Sequence, residues 1–374
     1  MTVHSISLKE ARRLILASQN LNGAKKTTLD HIEHLGHIQI DTISVVERAH
    51  HHVLWTRNNS YKKKDLSDLA ESRDVFEYWS HAASFLPMSE YRFTLPMKKE
   101  FATRSSSWFP KDPKVMKQVL KRIKEEGPLK SKDFERAKKG SSGWWDWKPA
   151  KKALERLFFE GKLEITKREG FQKVYDIPER VIPSSVDTSM PTNDEFARFL
   201  IKRIVRHHGL ANVKEMAYLH KKPVKDLVEK ALKSMIEEGE LIELRVEALA
   251  GSYYCFPKAL DSIPRSSSKV LLLSPFDNFT IQRNKLKTFF DYDYQIECYV
   301  PEKKRKFGYF TLPIFSGVIP VGRVDLKAHR KEKSLVINSL HYEKGIDQDE
   351  FSPEIRLNSV LKSFAKFNGC KLEL

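Results

Sequence analysis

Two stretches whose central glycines lie 78 residues apart constrain this chain more than any other feature in it. KKALERLFFEGKLEI (151–165) and EKALKSMIEEGELIE (229–243) align without gaps. Each spaces apolar residues at i, i+3 and i+4, the period of an amphipathic helix, then places Glu-Gly, then turns extended. Gly161 and Gly239 fall where a helix C-terminus favours a residue that tolerates positive φ. The offset is about the length of a small domain. Shorter helical segments, PLKSKDFERA and LANVKEMAYLH, precede the two helices. Helix, turn, helix, glycine and hairpin is the winged-helix order, a variant of helix-turn-helix.

TLDHIEHLGHIQID (28–41) reads as a weaker third copy: a helix, Gly36, then alternating apolar residues. In that register Gln39 and Asp41 occupy one face of a first wing strand, with Ile38 and Ile40 on the other. Their counterparts in the second copy are Glu164 and Thr166. Pro- and Ser-rich stretches at 103–113, 178–194 and 261–269 read as linkers. The last piece differs. KVLLLS, YQIECYV, FGYFTLPIF, VIPVGRVDLKAH and SLVINSLHY read as strands, with a closing helix near Pro353 to Phe367. The expected class is α+β: three tandem winged-helix domains (1–108, 109–185 and 189–262) and a β-rich C-terminal domain (263–374).

The net charge is +17, which favours an anionic partner, most often nucleic acid. No apolar run reaches the length of a bilayer span, and MTVHSISLKEARRLIL fits a helix capped by Ser7 and Glu10 better than a signal peptide. Cys255, Cys298 and Cys370 are odd in number and far apart, so they read as reduced thiols of a cytosolic protein. A cytoplasmic location follows, with association to the nucleoid when bound to DNA. Without a long apolar helix face, a monomer is the default.

Basic surfaces come next. Lys148, Lys152 and Arg156 are spaced i, i+4 and i+8, one stripe along the presumed recognition helix; the bland alternative is a solvated face. The turn PEKKRK (301–306) sets Lys303, Lys304, Arg305 and Lys306 at an expected hairpin tip. Trp144, Trp145 and Trp147 stand before a helix, as core or as a platform for a base. His31, His34 and His37 are three apart, yet no Cys or HExxH spacing accompanies them, and neither a metal nor a cofactor is called for. Gln39 and Asp41 run into ERAHHHVLWTR, a crowd of polar, basic and aromatic residues that suggests a concave site.

IQIDTISVVERAHHHVLWTR resembles the signature of the YcaQ (AlkX) branch of winged-helix DNA glycosylases, relatives of AlkZ. The likeness continues through VFEYWSHAASFLP (75–87), SPFDNFTIQRNKLKTFFDYDYQIECYVPEKKRKFGYF (274–310) and PVGRVDLKAHR (320–330). It implies a C-shaped basic channel for DNA and a catalytic Gln-Φ-Asp, where Φ is apolar. Gln39-Ile40-Asp41 matches position by position; the AlkZ branch has Gln as the third residue, so Asp41 points to the YcaQ branch. The implied partner is double-stranded DNA carrying alkylated or crosslinked purines. The implied reaction is monofunctional hydrolysis of the N-glycosidic bond of an N7-alkylated purine. Asp41 would act as general base and oxocarbenium stabiliser, and Gln39 would orient the water or hold the deoxyribose. The matched motifs also put His50, His51, Arg57, Tyr78, Trp79 and His81 near DNA; Arg323 and Lys327, four apart in VGRVDLK, would share a strand face that could meet the DNA backbone. The competing reading is a winged-helix transcription regulator without catalysis. It has little use for a carboxylate aimed at phosphate.

Overall fold

The computed structural model describes residues 4–23, 26–103, 109–134, 147–261, 263–265 and 267–373, with the side chains of residues 147 and 148 left aside. The chain divides into two compact units, Met1–Lys62 with Ala197–Leu374, and Lys63–Phe196. Helices and sheets are mixed in both.

In the first unit, Ser7 and Glu10 close a reciprocal capping box on helix Leu8–Ser18, as the sequence predicts. The strand before it, His4–Ile6, pairs in parallel with Ile242–Val246, which pairs antiparallel with Tyr253–Cys255. The N-terminal strand thus completes the hairpin that follows the second repeated helix, a long-range pairing that no local pattern signals. Helix Thr28–Leu35 ends at Gly36, and helix Lys222–Glu237 is followed by Gly239. These glycines have φ of +73° and +77°, the left-handed region where a Cβ would be strained. Ile15, Leu244, Cys255, Leu271, Phe279, Phe289 and Phe315 belong to one buried cluster around which the N-terminal helix, this sheet and the C-terminal segments pack.

A five-stranded sheet runs in the order Val270–Leu272, Thr311–Ser316, Ile319–His329, Ser334–Tyr342 and Lys371–Glu373. The last pairing is parallel, after helix Asn358–Phe367. The expected strand at 294–300 is absent. Tyr294 and Ile296 are buried and Gln295 is exposed, but Glu297 is buried as well, so the alternation of YQIECYV holds only as far as Ile296. The segment joins no ladder. Lys303 and Lys304 therefore sit on a short 3-10 turn, Glu302–Lys304, and not at a hairpin tip.

The second unit begins with helix Lys63–Glu71 and the hairpin Val75–Trp79/Ala83–Pro87. Helix Pro113–Glu126, strand Leu129–Lys130, a 3-10 turn at Ser131–Phe134, helix Trp147–Phe159 and Gly161 follow. Strands Glu164–Glu169 and Gln172–Asp176 close it, the latter pairing on both edges. Gly161 has φ +70°, matching its repeat partner. Met116, Val119, Ile123, Leu154, Leu157 and Phe158 meet Ile165 and Tyr175 in its core. Leu154, Leu157 and Phe158 are the face that the apolar period predicts.

Candidate functional site

The strand carrying Gln39 is only Ile38–Gln39. Asp41 lies beyond it, in an irregular segment, rather than alternating with Gln39 along one strand. The segment has another order, imposed from outside. Arg203 Nη2 donates to Gly36 O (2.7 Å), Arg206 Nε to His34 O (3.1 Å) and Asn278 Nδ2 to His37 O (2.9 Å). Ile38 is fully buried and Gln39 is 8% exposed. Past Asp41, Ala328 N donates to Val45 O (3.0 Å), and Arg330 donates to Ser44 O and Val46 O (both 2.8 Å). The backbone on both sides of the Gln-Ile-Asp triplet is thus gripped by groups from distant parts of the chain.

Asp41 is half-buried. Its Oδ1 accepts from Ile43 N at 2.7 Å, a local turn that aims the carboxylate. Burial raises its pKa above the ordinary 3.8, against the lowering effect of the Ile43 and Thr42 amides. A carboxylate so placed is a better proton acceptor than one in water once it is ionised. Its charge, after burial, also raises the Cys298 thiol, and it acts on the neighbouring Tyr299 phenol. The exposed Arg283 acts on Cys298 as well.

Helix Ala49–Arg57 follows directly and is held from inside. His52 Nε2 pairs with Leu272 O (3.0 Å), and Trp55 lies against Phe364 and Phe367. Arg57 donates to both oxygens of Asp277 (2.6 and 3.0 Å), with neither side chain exposed. Arg57 also donates to Gln19 O and Val53 O. Asp277 and Asn278, adjacent in SPFDN, therefore serve the loop and helix that flank Asp41.

Several residues expected at DNA are placed otherwise. Arg57 has every face of its guanidinium inside the protein. Arg156 is 0% exposed, bound to Glu160, Phe101 O and Phe109 O, so the basic stripe on its helix is broken. Arg323 is buried against Glu343 (2.7 Å), Asp293 O and the rings of Tyr292 and Phe307. Tyr78 is buried, its hydroxyl donating to Phe159 O (2.8 Å). His50 is buried, and His51 is half-buried with Nδ1 2.8 Å from Tyr61 Oη. Lys152, Lys303, Lys304 and Lys327 are exposed, and Arg305 is half-buried with Nε on Val300 O. Trp79 is partly exposed at the end of its strand, and His81 is half-buried in the following turn. Trp144 and Trp145 lie outside the described residues, as do the side chains of Trp147 and Lys148. Sequence reasoning missed Arg330, Asn278 and Tyr299, although all three lie inside motifs already singled out by the resemblance.

A family model described as "DNA glycosylase AlkZ-like" matches residues 32–357, a span that includes Gln39, Asp41, Asp277, Asn278 and Arg330. Among solved structures, the chain is similar to the Streptomyces sahachiroi DNA glycosylase AlkZ, with 14% identity over 99% of each chain and a TM-score of 0.66. At that identity the likeness is one of fold.

Proposed function

Since this chain belongs to the AlkZ-like DNA glycosylase family, we propose that it hydrolyses the N-glycosidic bond of N7-alkylated purines in double-stranded DNA, with Asp41 and Gln39 as its catalytic residues. The observation that carries this reading is the half-buried Asp41, raised in pKa and aimed by Ile43 N, on a segment fixed on both sides.

The chemistry needs little more. Alkylation at N7 of guanine makes the base cationic and already a good leaving group, so no general acid is required. As the bond lengthens, positive charge gathers on the deoxyribose. An ionised Asp41 stabilises that charge across a partly desolvated gap, where the interaction is stronger than in water. The same carboxylate takes a proton from the attacking water. Gln39, with one amide donor pair and one carbonyl acceptor, orients that water or holds the sugar. No lysine nucleophile enters this scheme, so the product is an abasic site and an intact strand. Bulky adducts and interstrand crosslinks belong to the proposed substrate range, because attack at the sugar does not require the whole lesion to enter a closed pocket.

The three helix–glycine–strand segments, by this reading, are winged helices within the proposed domains 1–108, 109–185 and 189–262. The region 263–374 forms the fourth domain, and a C-shaped basic channel takes the DNA. The protein works as a monomer in the cytoplasm.

Duplex DNA containing N7-methylguanine, incubated with protein and then treated with hot alkali, tests the mechanism. Asp41→Asn keeps the Oδ1 acceptor and the volume but removes the charge. Its single-turnover rate should fall by about 10²–10⁴, the usual worth of a general base, while affinity for the DNA stays near that of the parent. Equal rates for the two proteins would overturn the assignment. Binding without scission by the parent itself would favour a regulator instead.

A further inference from the structure

We propose that Tyr299 is the stacking residue of this site: its ring lies against a base of the damaged strand while Asp41 addresses the sugar. The proposal rests on the glycosylase reading of Asp41 and extends it to how the nucleotide is held.

Tyr299 is 80% exposed, the most exposed of the large hydrophobic side chains among the described residues. An aromatic ring in water is unremarkable when its loop is loose, but this loop is braced along its length. Val300 N donates to Glu297 O (2.9 Å), and Arg305 Nε donates to Val300 O (2.9 Å). The buried Glu297 carboxylate accepts from the amides of Lys306, Phe307 and Gly308 (2.8–3.1 Å). Ser339 Oγ donates to Phe307 O (2.9 Å), and Tyr309 N donates to Asp325 Oδ2 (3.0 Å). Asp325 stands on strand Ile319–His329, and the same strand's Ala328, with Arg330 just past its end, grips the segment after Asp41. One strand therefore anchors both the loop that presents Tyr299 and the loop that presents Asp41. The two side chains are near enough for the carboxylate charge to act on the phenol.

A pre-organised aromatic group loses little freedom on binding, so its stacking energy reaches affinity nearly undiminished. Every base has a π-face, so such a contact suits an enzyme whose lesions vary in their substituents. The exposed Lys303 and Lys304 on the adjoining turn supply charge for the phosphates flanking a stacked base. The phenol is not a proton donor or nucleophile here. Partial desolvation, Cys298 and Asp41 all raise its pKa, so it stays neutral over the working pH range. The ring, and not the hydroxyl, is the working part.

The test uses the full chain with Asp41→Asn in the background, so that DNA is bound and not cut. The probe is a duplex with a tetrahydrofuran abasic-site analogue flanked by 2-aminopurine, whose fluorescence reports stacking. Tyr299→Phe should bind and change the fluorescence as the background protein does. Tyr299→Ala should bind roughly 5- to 150-fold more weakly, the range for loss of one base–aromatic stack, and should lose the fluorescence change. The slope of affinity against salt should stay the same, since no charge is removed. A matching thermal melt for Tyr299→Ala confirms that it folds. Two results would overturn the proposal: Tyr299→Ala behaving like the background, or Tyr299→Phe losing as much as Tyr299→Ala. Failure of the glycosylase reading shows elsewhere, as undiminished cleavage by Asp41→Asn with Tyr299 intact.

Discussion

Arg57 stands one helix after Asp41, and its substitution separates a DNA contact from an internal brace. Removing one partner of a buried, hydrogen-bonded ion pair costs about 3–5 kcal/mol, chiefly because the other charge stays buried and uncompensated. Arg57 and Asp277 meet that description, with both side chains at 0% exposure and two contacts of 2.6 and 3.0 Å. Arg57→Met and Asp277→Leu should each lose about 3–5 kcal/mol of stability, or roughly 6–20 °C in Tm at about 2–4 °C per kcal/mol for a unit of this size. The double substitution replaces the pair by two apolar groups and should recover most of that loss. Recovery should stop short by about 1–3 kcal/mol, since Gln19 O, buried and served by Arg57 Nε at 2.9 Å, keeps no guanidinium donor. Urea unfolding of the four proteins gives the cycle directly, and DNA affinity below the transition gives the control. An unchanged unfolding curve for Arg57→Met together with weaker DNA binding would refute the internal brace, for then the guanidinium serves phosphate and not Asp277.

Other outcomes follow from the same geometry. Arg330→Ala removes two hydrogen bonds to Ser44 O and Val46 O at the protein surface, so stability should fall by no more than about 1 kcal/mol while the single-turnover rate drops about 10²-fold through misplacement of Asp41; an unchanged rate would remove Arg330 from the support of the site. The acid limb of the rate profile should lie above pH 3.8, because the folded state raises the Asp41 pKa and activity needs the carboxylate ionised. Linkage gives the companion sign: a carboxylate whose folded pKa is raised costs stability above that pKa and nothing below the unfolded one. Asp41→Asn should therefore be more stable than the parent at pH 7, with the gap closing as pH falls toward 4. Lys303→Ala and Lys304→Ala should each reduce the slope of log affinity against log salt by about 0.9, as expected for one lost phosphate contact apiece; identical slopes would take the turn out of the contact surface.

How far the fold was legible can be judged from two glycines and one false strand. Gly161 and Gly239 take positive φ, after the apolar helices that the repeat predicts, because helix period and C-terminal glycine are local signals. Residues 294–300 show the limit of local signals. Their alternation puts Tyr294 and Ile296 inside and Gln295 outside but fails at the buried Glu297, and the segment forms no strand in the five-stranded sheet. Period two specifies faces; a strand also needs a neighbour, and neighbours come from far along the chain. The pairing of His4–Ile6 with Leu244–Val246 was invisible for the same reason.

The site divides along a chemical line. Of the four arginines expected at DNA, Arg57, Arg156 and Arg323 are buried and Arg305 is half-buried, whereas Lys152, Lys303, Lys304 and Lys327 are exposed. A guanidinium has five donors in a rigid fork and is weakly hydrated, so it can be satisfied inside by one carboxylate and several carbonyls; an ammonium is compact and strongly hydrated. Arg57 and Arg156 show the arrangement, each joining a carboxylate to two backbone oxygens. Lysines do enter this protein, but Lys98 goes in against Glu164 and Lys285 against Glu215. A net charge of +17 therefore overstates the charge offered to DNA by the arginines more than by the lysines. Asp277, Asn278 and Arg330 fall in the matched stretches, and each binds part of the loop and helix around Asp41 rather than standing in a row toward phosphate. Residues that a motif presents singly as contact surface are, at these three positions, a clamp on the loop and helix that flank one carboxylate.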